Sequence, residues 1–405
     1  MPSLAPALDA DLSLLRDATL LRTPHQVGHA QGPEVDVAGH RVLCFCSNNY
    51  LGLAAHPALA TAMRRSAERD GTGAGASRLI SGSMAAHHQA EERLADFTRT
   101  ESALLFSSGY AANVGALQAI VDHRDIIFSD ALNHASIIDG CRLAHARVVV
   151  YPHRDTATLE QLLTEYRPSS RRAIVVTDAL FSMDGERAPV GALRRLCDQH
   201  DAWLMVDEAH AFGVLGPLGR GLCAEANIVP DIFMATLGKA AGVCGAFVAG
   251  TKNLRDLLVN RARSYVFSTA LPPPVAAAIT AAVDLVAAAE PARATLRHHA
   301  SRLQRGLRDA GYEVIGDDTH ILPVIIGDPA ETMRLSEELL LRGVFAHGIR
   351  PPTVPSGTSR IRVAPMATHT DAHIDVAIQA FRALASERPF PQTVIASSPP
   401  LQARA

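Results

Sequence analysis

The sequence predicts an α/β protein: a mostly parallel sheet covered by helices, followed by a smaller α+β domain. Three observations predict it. Short, β-branched apolar runs alternate with helical patterns through the middle of the chain, as in a sheet built from strand–helix–strand crossovers. These runs are apolar throughout rather than at every second residue, which implies burial on both faces. At 405 residues the chain is long for one core, so a large domain with a smaller appendage is expected.

The expected strands of the large domain are, in order, residues 102–106, 125–128, 147–151, 173–177, 202–206, 231–235 and 245–249. Residues 111–121 and 190–200 have the spacing of crossover helices. Pro272-Pro-Pro274 breaks the chain, and a long helical region follows through Gly311. Beyond it come a strand at 321–326, a helix at 331–342, a strand at 360–363 and a last helix at 371–385. The chain thus divides into an N-terminal segment (1–46), a large domain (47–289), a small α+β domain (290–387) and a Pro- and Ser-containing tail (388–405) expected to be disordered. In such a sheet the active site lies beyond the carboxyl ends of the strands.

Composition narrows the function. Hydrophobic residues make up 48% and charged residues 20%, the profile of a compact folded protein. A formal net charge of −3 gives no global basic field for nucleic acid or anionic lipid. Anionic ligands must therefore be met by local arginines and backbone amides. Asp9 and Asp11 stand where a secretory signal needs basic residues. The most apolar stretch, residues 275–283, is closed by Asp284, far short of the ~20 residues that span a bilayer. It reads as an Ala-rich packed helix, and the protein as cytoplasmic. The six cysteines form no CxxC pair and no zinc spacing; they read as buried reduced thiols, and no metal is expected.

The most informative pair is Asp207, which ends the apolar run Trp203-Leu-Met-Val, and Lys239 in Thr236-Leu-Gly-Lys. Pyridoxal phosphate needs both types: its aldehyde condenses with a lysine amine, and its pyridine nitrogen stays protonated only beside a carboxylate. His210 is placed to reach the ring's phenolic oxygen. On spacing alone, a buried aspartate in an ion pair and a surface lysine would serve as well. Phe106-Ser-Ser-Gly109-Tyr110-Ala-Ala-Asn113 follows a strand and opens a helix, so backbone amides and the positive helix end can cradle a phosphate. An ordinary strand-to-helix turn looks the same. His134, after another strand, is placed to lie flat over an aromatic ring, and Ser182 to bond ring substituents. Gly71-Thr-Gly-Ala-Gly-Ala-Ser77 has no preceding strand and the wrong glycine spacing for a dinucleotide site; a tight loop lining a pocket is expected. Arg360 and Arg362 share one strand face by period two. One guanidinium can clamp a carboxylate bidentately; the alternative, for Arg360 especially, is a solvated basic face.

On these motifs, together with Ser47-Asn-Asn-Tyr-Leu-Gly-Leu53, Gly213-Val-Leu-Gly216 and Ser268-Thr-Ala-Leu-Pro-Pro273, the chain resembles the α-oxoamine synthase family of fold-type I pyridoxal-phosphate enzymes. The resemblance implies that Lys239 carries the cofactor, with Asp207 at the ring nitrogen, His210 at the phenolic oxygen and His134 stacked on the ring. It implies that Ser182 hydrogen-bonds the cofactor, and that Gly109, Tyr110 and Thr236 serve it and its phosphate. Ser268 and Thr269 would reach the phosphate of a neighbouring subunit, hence a homodimer with shared active sites. Arg362 and Asn48 would hold an amino-acid carboxylate, and Arg22 and Thr353 would contact the substrate side. Ile349-Arg-Pro-Pro-Thr-Val-Pro355 is similar to the biotin-pathway branch, whose substrates are L-alanine and a pimeloyl thioester on coenzyme A or acyl-carrier protein. Ser77, where the glycine-specific 5-aminolevulinate synthases carry threonine, leaves room for alanine's methyl group. The 2-amino-3-ketobutyrate ligases and serine palmitoyltransferases keep the same machinery with other substrates. A fold-type I aminotransferase and a non-catalytic binding protein are the alternatives from other classes. Two departures, Phe212 and Ala241-Gly-Val-Cys244, are expected to reshape the pocket near the ring.

Overall fold

The computed structural model describes residues 3–387; the 388–405 tail lies outside the described residues. The chain forms two compact units. The larger comprises Asn48–Ser182 and Glu186–Ala294; the smaller comprises the residues up to Ser47, Met183–Gly185 and those from Thr295 onward.

The larger unit is built on seven strands, β1 (Ser102–Phe106), β2 (Ile126–Asp130), β3 (Arg147–Tyr151), β4 (Ala173–Asp178), β5 (Trp203–Asp207), β6 (Ile232–Thr236) and β7 (Ala246–Gly250), in the spatial order β1-β7-β6-β5-β4-β2-β3. All neighbouring pairs are parallel except those made by β7, which runs antiparallel to β1 and β6. Each strand was foreseen within a few residues. The reason is chemical: β2 and β4 are buried along their whole length, so each had to be apolar on both faces. Strand β3 departs from that expectation. It is one of the two sheet edges, and Val148 and Val150 are 38% and 55% exposed.

Helix Gly109–Ile120 and the strands beneath it bury a core of Leu104, Phe106, Leu117, Ile120, Ile127, Ile137, Ile174, Val176, Met205 and Met234. Helix Pro273–Ala288 packs on helices Pro57–Asp70 and Ala85–Thr98. Its small alanines (Ala276, Ala278, Ala282) are fully buried, as the Ala-rich packed reading requires. Among the described residues no single helix is long and apolar enough to cross a bilayer.

In the smaller unit, strands Leu322–Gly327, Ser359–Val363 and His347–Ile349 form an antiparallel sheet with Ser359–Val363 central. A second sheet was not foreseen: Val27–Gly28, Glu34–Val37, His40–Cys44 and Val344–Phe345. The residues before Ser47 therefore join this unit rather than standing as a separate segment. His40–Cys44 pairs in parallel with Val344–Phe345, and the Phe45 amide donates to the Phe345 carbonyl at 2.8 Å. The short polar-interrupted strands Glu34–Val37 and His40–Cys44 carry too few consecutive apolar residues to announce themselves.

All six cysteines are free thiols. Cys44, Cys141, Cys197 and Cys223 are buried as expected, Cys46 is half-buried, and Cys244 is exposed.

Candidate active site

In the larger unit the expected cofactor residues gather at the carboxyl ends of β1, β2, β4, β5 and β6. Asp207 ends β5 and is 2% exposed. The Ala209 amide donates to its Oδ1 and Asn113 Nδ2 to its Oδ2, both at 2.8 Å. Hydrogen bonds of this kind stabilise the charged carboxylate.

The second N–H of Asn113 donates to Ser136 Oγ at 2.8 Å, and that oxygen lies 2.8 Å from His134 Nδ1. The Ser136 amide also donates to Nδ1, at 3.2 Å. Nδ1 is therefore the acceptor, and the neutral ring carries its proton on Nε2. Burial holds the His134 pKa below its ordinary value; Asp207 pulls it up and Lys239 pushes it down. A continuous chain of hydrogen bonds thus joins the imidazole to the carboxylate through Ser136 and Asn113.

His210 is 5% exposed, and its Nδ1 lies 2.6 Å from the Tyr50 hydroxyl. That hydroxyl donates to Asn48 Oδ1 at 3.0 Å, so Nδ1–H of His210 is the donor to Tyr50. Lys239 sits in the turn after β6, where the Gly242 amide donates to the Lys239 carbonyl at 3.0 Å and the Val243 amide to the Leu237 carbonyl at 2.9 Å. Gly242 has φ +70°, and a Cβ there would come within 2.5 Å of the Ala54 nitrogen. Glycine alone lets this turn close on the backbone beneath it.

At the start of helix Gly109–Ile120, Ser108 accepts from the Ala111 amide through Oγ at 3.1 Å and from the Ala112 amide through its carbonyl at 3.0 Å. The Gly109 and Tyr110 amides precede the first intrahelical acceptor. Thr236 Oγ1 lies 3.8 Å from where a Gly109 side chain would begin, and donates to the Gly245 carbonyl at 3.1 Å. Tyr110 is turned to Asp139, to which its hydroxyl donates. The glycine-rich loop is indeed preceded by a helix, Pro57–Asp70, and not a strand. It brings Ser77 into a backbone bridge with Thr269, next to Ser268, and the Ala270 amide donates to the Ala76 carbonyl at 3.0 Å. Ser182 is half-buried in the turn that follows β4, closed by the Phe181 amide on the Glu186 carbonyl at 2.9 Å.

The remaining expected residues belong to the smaller unit. Arg22 Nη2 lies 3.2 Å from the Pro351 carbonyl and 3.4 Å from Thr353 Oγ1, so two of the expected substrate contacts meet. Arg362 is 5% exposed on strand Ser359–Val363. Arg360 is not a solvated basic face: it is buried, pairs with Asp184 at 2.6 Å and donates to the Met183 carbonyl at 3.1 Å. Both faces of its strand are covered. Phe212 likewise points elsewhere than expected. It packs edge-on against Phe97 and Phe247, with ring centroids 5.6 and 5.5 Å away, and belongs to the core.

Four residues of the site were not singled out from the sequence: Asn113, Ser136, Tyr50 and Asp178. Asn113 left a signal, a buried amide one turn into an otherwise apolar helix. The others owe their place to strand register and turn geometry.

This donor set fits pyridoxal phosphate. Two helix-start amides and a threonine hydroxyl suit a phosphate. A carboxylate fixed by two N–H donors suits a protonated pyridine nitrogen, and a lysine follows the adjacent strand.

Comparison with known proteins agrees. Residues 40–381 match the family of class I and II aminotransferases, and the chain belongs to that family, within its α-oxoamine synthases. It is 50% identical over 375 residues to 8-amino-7-oxononanoate synthase of Geotalea daltonii, covering 91% of this chain and 95% of that one. Serine palmitoyltransferase of Sphingomonas wittichii superposes with a TM-score of 0.89 at 30% identity, covering 95% and 99%. A further serine palmitoyltransferase structure, solved with pyridoxal phosphate, gives 0.89 at 29% identity, again covering 95% and 99%. The chain is a pyridoxal-phosphate enzyme.

Proposed function

We propose that the protein is an 8-amino-7-oxononanoate synthase, joining L-alanine to a pimeloyl thioester with loss of carbon dioxide and release of the thiol. The observation that carries this reading is the gathering of Lys239, Asp207, His210 and His134 at the carboxyl ends of β6, β5 and β2 in a chain half identical to a protein of that name.

When bound, pyridoxal phosphate supplies an electron sink for the carbanion at Cα. The protein's residues do the rest. Lys239 would hold the cofactor, and its amine would take and return the Cα proton. Asp207, fixed by Asn113 and the Ala209 amide, keeps the ring nitrogen protonated. His210 and Ser182 would hydrogen-bond ring substituents, and His134, locked by Ser136, would lie against the ring. Gly109, Tyr110 and Thr236 hold the phosphate. Arg362 and Asn48 take the alanine carboxylate, and Ser77 leaves space for its methyl group.

A cavity of about 780 Å³ within the smaller unit supports the choice of acyl substrate. Leu21, Met333 and Phe345 give it apolar walls, and Arg16, Arg22 and Arg350 give it positive charge, with Glu337 the acid lining it among the described residues. Arg350 is buried, and burial followed by the nearby Arg22 lowers its pKa. A saturated chain that ends in a carboxylate matches this lining better than a long plain alkyl chain. The same reading makes the enzyme a cytoplasmic homodimer in which Ser268 and Thr269 serve the neighbouring subunit's phosphate. Ile80 and Phe267, 80% and 73% exposed beside Ser77 and Ser268, support it. Mass spectrometry of the product formed from L-alanine and pimeloyl-coenzyme A tests the activity; sedimentation of the holoenzyme tests the dimer. A condensed product that retains the amino acid's carboxylate would refute the decarboxylative reading, and a monomeric holoenzyme would refute the shared site.

A further inference from the structure

Asp178 ends β4 directly opposite Asp207 on β5; the two are register partners in the parallel pair. They are 5% and 2% exposed. Two carboxylates buried side by side do not both ionise readily, and the one with fewer donors keeps its proton. Asp207 has two donors, Asn113 Nδ2 and the Ala209 amide. Among the described residues Asp178 receives one, the backbone N–H of His134, at 2.7 Å. In return Asn133 Oδ1 accepts from the Asp178 amide at 2.9 Å, while Asn133 Nδ2 donates to the Val176 carbonyl and to Ser129 Oγ, both at 2.9 Å. The turn carrying His134 is therefore clamped to the end of β4 from both directions.

We propose that Asp178 is a positioning residue held as a neutral carboxyl, which clamps the backbone of His134 and leaves Asp207 as the charge beneath the cofactor ring. The groups whose charge or hydrogen bond acts on it are Asp207, Asp130, His134 and Lys239. Burial, then Asp207, push its pKa well above the carboxylate range; the His134 N–H and Lys239 act against them, and Asp130 adds to the rise. The division of labour follows from this imbalance. A second negative charge next to Asp207 would bind the pyridine proton more tightly and would also hold a proton on the nitrogen that joins Lys239 to the cofactor. One neutral and one charged carboxyl keep those two protons independently set. The inference rests on the pyridoxal-phosphate assignment but not on the choice of acyl or amino-acid substrate.

The test uses the holoenzyme without substrate. The visible absorbance of cofactor joined to Lys239 is titrated against pH in the wild type and in Asp178→Asn, a neutral isostere. The proposal predicts midpoints that agree within about 0.3 unit. If Asp178 were ionised, removing its charge at this range would lower the midpoint by about one unit or more, and the neutral assignment would be overturned. The clamp is read separately, as the dissociation constant of cofactor from the apoenzyme. Asp178→Ala removes the acceptor for the His134 amide and is expected to weaken binding about 10-fold, whereas Asp178→Asn, which retains a carbonyl acceptor, stays within about 3-fold. Equal affinity of the two variants would overturn the clamp. Should Asp178→Ala not fold, Asp178→Ser, which also fails to span to the amide, carries the same prediction. Absence of any visible band in the wild type would instead refute the cofactor assignment beneath both.

Discussion

Replacing Asp207 by asparagine probes the site more sharply than any other single substitution. The carboxylate accepts from the Ala209 amide through one oxygen and from Asn113 Nδ2 through the other. An asparagine keeps the first bond but turns an NH₂ toward Asn113. Asn113 has a remedy, because its own Oδ1 is buried without a partner among the described residues; flipping that amide restores an N–H···O contact. The flip then presents Oδ1 to Ser136, whose hydroxyl proton must turn away from His134 Nδ1. The net change to folding is the loss of one charge-assisted bond, ~1–2 kcal/mol, or roughly 2–8 °C in Tm for a unit of this size. The change to catalysis is larger: the amide cannot hold the pyridine proton, and His134 Nδ1 keeps only the Ser136 amide of its two partners. A fall on the order of 10²–10⁴-fold in kcat is expected. Thiol release at saturating substrate gives kcat, and a circular-dichroism melt gives Tm. A kcat within 10-fold of wild type alongside the small Tm shift would refute the role given to Asp207.

Lys239→Ala should abolish turnover with the fold intact, and borohydride reduction of the wild type should fix the cofactor to Lys239 on peptide mapping; an adduct on another lysine contradicts the assignment. Arg362→Ala should raise KM for alanine, glycine and serine together, whereas Ser77→Thr should penalise alanine relative to glycine, by about 10–200-fold for one methyl-sized space. Unchanged ranking in Ser77→Thr removes that residue from the selectivity account. His153 donates to Asp130 and Glu186 through its two ring nitrogens, each at 2.8 Å; burial disfavours its charge, but these two bonds outweigh it and push its pKa up from 6.5 to about 9. A raised histidine stabilises the fold fully below its ordinary value and loses that contribution as pH rises through about 9. Denaturant melts of wild type and His153→Gln should converge as pH rises from 6.5 to 9.5; a constant gap across that range sinks the bridge.

The sheet was legible because its strands are short, bounded and apolar on both faces, and Asp207 and Lys239 were legible because their chemistry is rare at strand ends. The edge position of β3 was not, since an edge strand reads like any other until its neighbours are known. The N-terminal sheet stayed hidden because His40–Cys44 pairs with Val344–Phe345, a contact across some 300 residues that no local pattern encodes. Within the site, the residues at the strand ends were singled out, while those hydrogen-bonded to them were not. Asp178 matters through which strand lies next to which, and period and spacing carry no such information. Phe212 was misjudged for the same reason: the partners that draw it into the core, Phe97 and Phe247, are distant in sequence.

The most direct test of the account is thiol and carbon dioxide release measured over a matrix of amino acids and acyl thioesters. L-Alanine with a pimeloyl thioester should give the highest kcat/KM, with one carbon dioxide released per thiol, and shortening or capping the terminal carboxylate of the acyl chain should lower it. Faster turnover of L-serine with a long-chain acyl thioester would contradict the proposed function while leaving the family intact, and no thiol release from any pair would contradict the acyl-transfer chemistry itself.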